Sequence, residues 1–445
     1  MKKTTLLFAL LISATCIHAQ QISDEIKENI KKRVDYGDNS SIVVALLDGD
    51  KVDSFTYGKT ALENGTSVNE NSVYEIGSIS KVFTTILLAN EVESGRMKLS
   101  DPISKYLPKS VKVPSRNGKE ITLKDLATHT SGLPRMPSNF APAKPMNPFA
   151  DYSVDQLYSF LSNYTLTRDI GSKYEYSNYA MGLLGHILEL HTGKSYEELI
   201  AERITAPHKM SDTKMVMTTK MKAQLAIGHS GTIQMPNWDF MTLGSAGGIK
   251  STLNDMIKFI KANMLKGNKA MQLSHQTAYK GDKDFTIGLG WHYMKTGNDE
   301  KIIWHNGRTG GYTAFTGFIE GTAKAVVVLT NSQESIDDIG LKLLDTSRKI
   351  RIPTKPLEIE NTILESYVGK YELVPTFHIV ITKNKGQLFL QATGQSKFQV
   401  YPSSENKFFL KVVKASITFN KDEDGKIKSL TLHQGGRDQE AKRLE

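Results

Sequence analysis

Residues 74–83 read YEIGSISKVF, with Ser78 three positions ahead of Lys81. Positions i and i+3 of a helix share a face, so a helix starting here brings the amine within reach of the hydroxyl. A serine at the N-terminus of a helix also benefits from free N–H groups and the macrodipole. A serine hydroxyl is a weak nucleophile until a base stands beside it, and Lys81 is such a group once its pKa is depressed. Gly77 permits a tight approach from strand to helix. The plainer reading is a routine helix start in a basic protein. Ser-x-x-Lys recurs at Ser211/Lys214 and Ser404/Lys407, as this composition allows by chance. Only Ser78 opens a long apolar-periodic helix, over 78–95 with Val82, Ile86, Leu87 and Val92 on its buried positions and Gly95 as its stop. Ser211 falls in the loop HKMSDTKMV and Ser404 in the turn PSSENKF.

The rest of the chain must supply partners for the pair. Among the tyrosines, Tyr176 alone has Asn two residues later, in YEYSNYAMGLLG. A phenol at a loop–helix junction can shuttle a proton in a cleft, and Asn178 can offer its amide to a substrate carbonyl. Helix capping by Ser177 or Asn178 is the structural alternative, and the two readings are compatible. A third element is offered twice. A literal KTG at Lys295–Gly297 lies at the tip of the hairpin predicted by GWHYMKTGNDEKIIWHN, pointing away from a sheet's centre. HNG at His305–Gly307 opens WHNGRTGGYTAF, a strand of small residues that a substrate backbone can approach. Alternation puts His305, Gly307 and Thr309 on one face and Arg308 on the other, so His305 is the candidate. HTG at 191–193 reads as a helix C-cap and HSG at 229–231 as a loop.

The totals exclude several classes. With 39% hydrophobic and 23% charged residues the 445-residue chain is ordinary globular material, long enough for a large domain and a small one. Its net charge of +9 includes Lys2 and Lys3, and the remaining cations are interspersed with acids, which argues against a nucleic-acid partner. Lys2 and Lys3, the apolar LLFALLISA and the small Ala19 predict an export signal over 1–19, too short to span a bilayer. Cys16, the sole cysteine, lies inside it, and Ser13 and Thr15 fit a lipoprotein signal poorly. Cleavage after Ala19 leaves a protein without thiol or disulfide, exported to the periplasm or medium. No metal or cofactor is implied, and the oligomeric state is left open.

Helical patterns occupy 124–130, 153–163, 178–192, 195–204 and 252–265, and a Pro-rich loop, GLPRMPSNFAPAKPMNP, fills 132–148, a length typical of a functional loop or a lid. Strand patterns follow to residue 331, then a helix near 335–349. The linker RIPTKPLEIEN, 351–361, leads to 362–445, whose short runs such as HIVITKN and QLFLQAT predict a small barrel or sandwich.

YEIGSISK, YSN and HNGRTGGY, in this order, resemble the serine penicillin-recognising enzymes: class C β-lactamases, D-alanyl-D-alanine carboxypeptidases and esterases of the same fold. LATHTSGLP, DPISKYLP and AGGIKSTLNDM are similar to the family too, so the resemblance spans about 25–350. It implies an α/β (α+β) hydrolase domain over 20–350, with an antiparallel sheet flanked by helices and an all-helical subdomain. The unit 362–445 resembles the small lipocalin-like barrel appended to some members. By the same resemblance Ser78 is acylated by a lactam or D-Ala amide, Lys81 and Tyr176 share proton transfer, and Asn178 orients the substrate amide. The N–H groups of Ser78 and Arg308, beside Gly307, then form the oxyanion hole. The Glu-x-x-Leu-Asn deacylation device of class A enzymes is absent. His305 stands where the family commonly has lysine, although some family peptidases carry histidine there. With an ordinary pKa of about 6.5 it would hold a substrate carboxylate less firmly as pH rises. The first expectation is β-lactam hydrolysis; the alternatives are a carboxypeptidase or esterase acting on D-Ala-terminated peptides or esters, and a non-catalytic binding protein.

Overall fold

The computed structural model describes residues 21–281, 285–384, 386–395, 397–410, 413 and 415–444. The expected export signal, with Cys16, lies outside them.

Eight antiparallel strands form the main sheet, in the order Lys51–Gly58, Ser41–Asp48, Lys324–Thr330, Thr313–Ile319, Lys301–Arg308, His292–Lys295, Thr286–Ile287 and Tyr279–Lys280. Helices cover both faces, which is why Ser41–Leu47 and Thr313–Ile319 are buried along their whole length instead of alternating. Ile42, Val44, Leu46, Val326 and Val328 turn toward the helices Asp24–Asp35 and Asp337–Leu344. Val43, Ala45, Leu47, Val327 and Leu329 turn toward the larger core. Each such aliphatic side chain contributes about 1.5–3 kcal/mol on full burial.

The helix Ser80–Glu93 runs through that core and is buried from Ser80 to Ala89, with Phe83 stacked on Phe259 at 4.2 Å. A helix that is apolar nearly all round belongs in an interior. Gly77–Ile79 forms a 3₁₀ turn ahead of it, and Gly77 has φ +51°, so the expected helix begins with one tighter turn. The helices Leu123–Ala127, Val154–Asn163, Asn178–Thr192 and Tyr196–Ile200 make the helical subdomain, each with a Ser or Thr N-cap.

Residues 132–148 are pinned: Trp238 Nε1 donates to Met146 O at 3.1 Å, and Asn147 and Asp239 bond each other twice. Beyond the linker, eight strands from Gly369–Val374 to Arg437–Arg443 close a barrel. Its interior is filled, with Tyr367 stacked on Phe419 at 4.1 Å and Tyr371 and Phe408 around them. Among the described residues, no helix is long and apolar enough to cross a membrane.

Candidate active site

Two backbone approaches bring the first and third sequence elements together. An ideal Cβ on Gly307 would lie 1.9 Å from Ile76 O and 2.9 Å from Ser78 N, and one on Gly77 would lie 2.7 Å from Arg308 N. Only glycine fits at either point, and the N–H groups of Ser78 and Arg308 are thereby neighbours. The strand Lys301–Arg308 also loses its outer partner at this place, since its pairing with His292–Lys295 ends at His292↔Trp304. Residues 305–308 therefore present a free edge beside Ser78.

Ser78 Oγ accepts from Lys81 Nζ at 3.0 Å, and Nζ also donates to Ala246 O at 2.6 Å. Lys81 is 0% exposed. Burial, helped by the Arg135 cation, pushes its pKa well below the ordinary lysine value. Desolvation disfavours a buried ammonium that has no counter-ion, so the free amine becomes accessible at lower pH than for an exposed lysine. An uncharged amine touching a hydroxyl is positioned to take that hydroxyl's proton.

Tyr176 lies with its ring centroid 4.7 Å from Lys81 Nζ. Burial raises the phenol's pKa to about 12, and a hydrogen bond with Ser78 and the Arg135 cation hold back part of that rise. The phenol is thus protonated at neutral pH and can donate. Hydroxyl, amine and phenol converge as the sequence predicts.

The remaining candidates are arranged differently. A cavity of about 370 Å³ is lined by Ser78, Tyr176, Gly307 and Arg308, together with Arg135, His292, Trp304, Asn306 and Asp337. Asn178 is outside this lining. Its amide donates to Met136 Sδ at 3.5 Å, while Ser177 Oγ caps the helix by accepting from Ala180 N. His305 is also outside the lining, 1% exposed, its ring 6.5 Å from that of Tyr176 and 4.9 Å from that of His292. Burial and the neighbouring His292 and Lys81 push its pKa well below 6.5. The expected weakening of carboxylate binding near pH 6.5 is therefore corrected: burial disfavours the charged imidazolium and moves its titration well below that pH. Arg308, expected to face away, does so relative to His305, yet at the free strand edge it still reaches the cavity. Lys295 occupies the hairpin tip and pairs with Asp299 at 2.6 Å. Ser211 bonds Asp212, and Ser404 lies in the barrel.

Arg135, His292, Trp304 and Asp337 carry no sequence signal as site residues. Arg135 sits inside the Pro-rich loop, and its guanidinium lies 5.0 Å from the Tyr176 ring centroid. His292 is placed by the pairing register of two strands, which single-strand periodicity does not give.

The family model for Beta-lactamase matches residues 26–343. The chain belongs to the Beta-lactamase family. A second model, for a domain of unknown function, matches residues 354–443. The family chain is 32% identical over 362 residues to the D-alanyl-D-alanine-carboxypeptidase/endopeptidase AmpH of Escherichia coli K12, covering 75% of this chain and 92% of that protein. It is 27% identical over 372 residues to an Escherichia coli K12 β-lactamase, covering 74% and 95%. Among solved structures, the β-lactamase/D-alanine carboxypeptidase from Yersinia pestis, complexed with citrate, superposes with a TM-score of 0.60 at 28% identity, over 69% of this chain and 92% of that one.

Proposed function

We propose that the protein is an exported serine hydrolase that forms an acyl-enzyme on Ser78, with peptides ending in D-alanine as substrates and β-lactams acylating the same serine. The observation that carries this reading is the buried Lys81 amine 3.0 Å from Ser78 Oγ, with burial lowering its pKa well below the ordinary lysine value.

Lys81 takes the Ser78 proton as Oγ attacks the substrate carbonyl. The carbonyl oxygen becomes an oxyanion held by the N–H groups of Ser78 and Arg308, an interaction whose single donors are worth about 10²–10³-fold in kcat. Tyr176, a phenol at neutral pH, protonates the departing nitrogen and is reprotonated through Lys81. Water then attacks the acyl-Ser78 ester as the same groups take its proton and return one to Oγ.

Arg135 and Arg308 supply the attraction for a carboxylate that a neutral His305 does not. Among the described residues neither guanidinium is ion-paired, and both line the cavity with Ser78. The likeness to AmpH favours peptides over lactams as the substrates turned over. Sustained lactam hydrolysis is the second reading, favoured by the combined β-lactamase/carboxypeptidase name of the Yersinia pestis structure. A time course with a chromogenic cephalosporin, run beside an assay for free D-alanine, tests the choice. The expected result is a stoichiometric lactam burst that stalls, with continuous D-alanine release from an acyl-D-Ala-D-Ala peptide. Sustained lactam turnover without D-alanine release contradicts it.

A further inference from the structure

The phenol's catalytic use depends on where residues 175–177 hold it, and a single residue grips that segment on both sides. Glu175 N donates to His129 O at 2.8 Å, and Ser177 N donates to His129 Nδ1 at 3.1 Å. Between these two bonds, the Tyr176 ring lies against the imidazole with centroids 4.6 Å apart. His129 is 1% exposed and has φ +59°, a left-handed conformation uncommon for a residue with a side chain. Strain of this kind persists only where the surroundings impose it, and it collects at functional sites. Because Nδ1 accepts from a backbone N–H, the ring must be the tautomer protonated on Nε2.

We propose that His129 is a positioning residue for Tyr176: its carbonyl and its Nδ1 clamp the backbone on either side of the tyrosine and fix the phenol against Ser78. This rests on the reading of Tyr176 as the proton donor to the leaving group. His129 itself touches no reacting atom. The carbonyl half of the clamp survives any substitution, so the ring half is the part that variants address.

The test uses His129→Gly, His129→Asn and Tyr176→Phe in the full chain. Glycine adopts the left-handed backbone freely and removes the acceptor. Asparagine tolerates the same backbone and places Oδ1 where Nδ1 stood, restoring an acceptor for Ser177 N–H. Each variant is assayed on two substrates with one acyl group, an amide with a D-alanine leaving group and a thioester. A thiolate departs without a proton, so acylation by the thioester does not need a well-placed phenol. A small misplacement of a catalytic group costs on the order of 10²-fold. In kcat/KM, which reports acylation and not the shared deacylation step, His129→Gly is therefore expected to lose about 10–100-fold on the amide and less than about threefold on the thioester, with His129→Asn regaining most of the amide activity.

Equal losses on both substrates, or an asparagine variant as poor as the glycine one, overturn the inference. Tyr176→Phe separates the two layers. If it shows the leaving-group dependence and His129→Gly does not, the positioning role alone falls; if it shows none, the proton-donor reading falls with it. Should His129→Gly not fold, ring ¹⁵N resonances of the wild-type histidines, assigned by difference with His129→Asn, decide. Nδ1 without a proton supports the clamp, and a protonated Nδ1 contradicts it.

Discussion

The main sheet and the C-terminal barrel are both antiparallel, yet they treat their polar groups in opposite ways. In the hydrolase domain, one strand outruns its neighbour at residues 305–308 and a lysine, a glutamate and several histidines are buried behind that free edge. His129 Nε2, His292 Nδ1, His305 Nε2, Glu75 Oε2 and Asp337 Oδ1 are all buried there without a hydrogen-bond partner. In the barrel the strands close on one another around stacked aromatic rings, and among its described residues no buried side-chain nitrogen or oxygen lacks a partner. Unpartnered buried polar atoms cost about 1–3 kcal/mol each. A fold tolerates that cost where the groups do chemistry, which fits the proposed site at the sheet edge and has no counterpart among the described residues of the barrel.

The largest break in this contrast comes from Gly307→Ala. The new methyl group would overlap Ile76 O and crowd Ser78 N, forcing the strand edge off the nucleophile. A loss of about 10²–10³-fold in kcat is expected, at least that of one oxyanion donor, on amide and thioester alike. Steady-state kinetics of a variant with an unchanged circular dichroism spectrum checks it.

A pH profile sharpens the electrostatic half of the contrast. Lys81 has a pKa lowered by burial and by Arg135, so the free amine is present above that lowered value and kcat/KM falls as pH drops through it. Arg135→Gln removes a repelling cation and lets the ammonium persist to higher pH. The acid limb should therefore move upward in pH, whereas an unmoved limb would remove Arg135 from the account of Lys81.

In the barrel, Phe419→Ala deletes a ring stacked on Tyr367 and is expected to cost about 3–5 kcal/mol of that unit's stability by denaturant melting. Hydrolysis of a small thioester should stay within about twofold, because Ser78 lines a cavity of the other domain. Gln399→Ala has the smallest effect. Its Oε1 accepts from Thr232 N at 3.2 Å across the junction of the two units, and losing that bond should cost about 0.5–1.5 kcal/mol.

The parts of this picture visible in the sequence are those set by short-range rules. Ser78 and Lys81 share a face because they are three apart at a helix start, and Gly77 announces the tight turn. Gly307 and the alternation around it, together with the exposed position of Lys295, follow from strand periodicity and hairpin geometry. The filled barrel is readable only as a set of short strands, since their closure depends on long-range pairing. His305 was legible as a residue near the site but not as one with a lowered pKa, because its environment is assembled by burial, by His292 on the paired strand and by Lys81, far away in sequence. Arg135 was hidden for the same reason, as an arginine in a loop positioned by the hydrogen bonds that its carbonyl accepts from Asn178 N and Tyr179 N.

The central claim is tested most directly by intact-protein and peptide mass spectrometry after an acid quench of the wild-type chain mixed with a β-lactam. One equivalent of added acyl mass, carried by the peptide that contains Ser78 and missing from Ser78→Ala, is the predicted result. An unmodified wild-type chain, or an adduct that persists in Ser78→Ala, would contradict it.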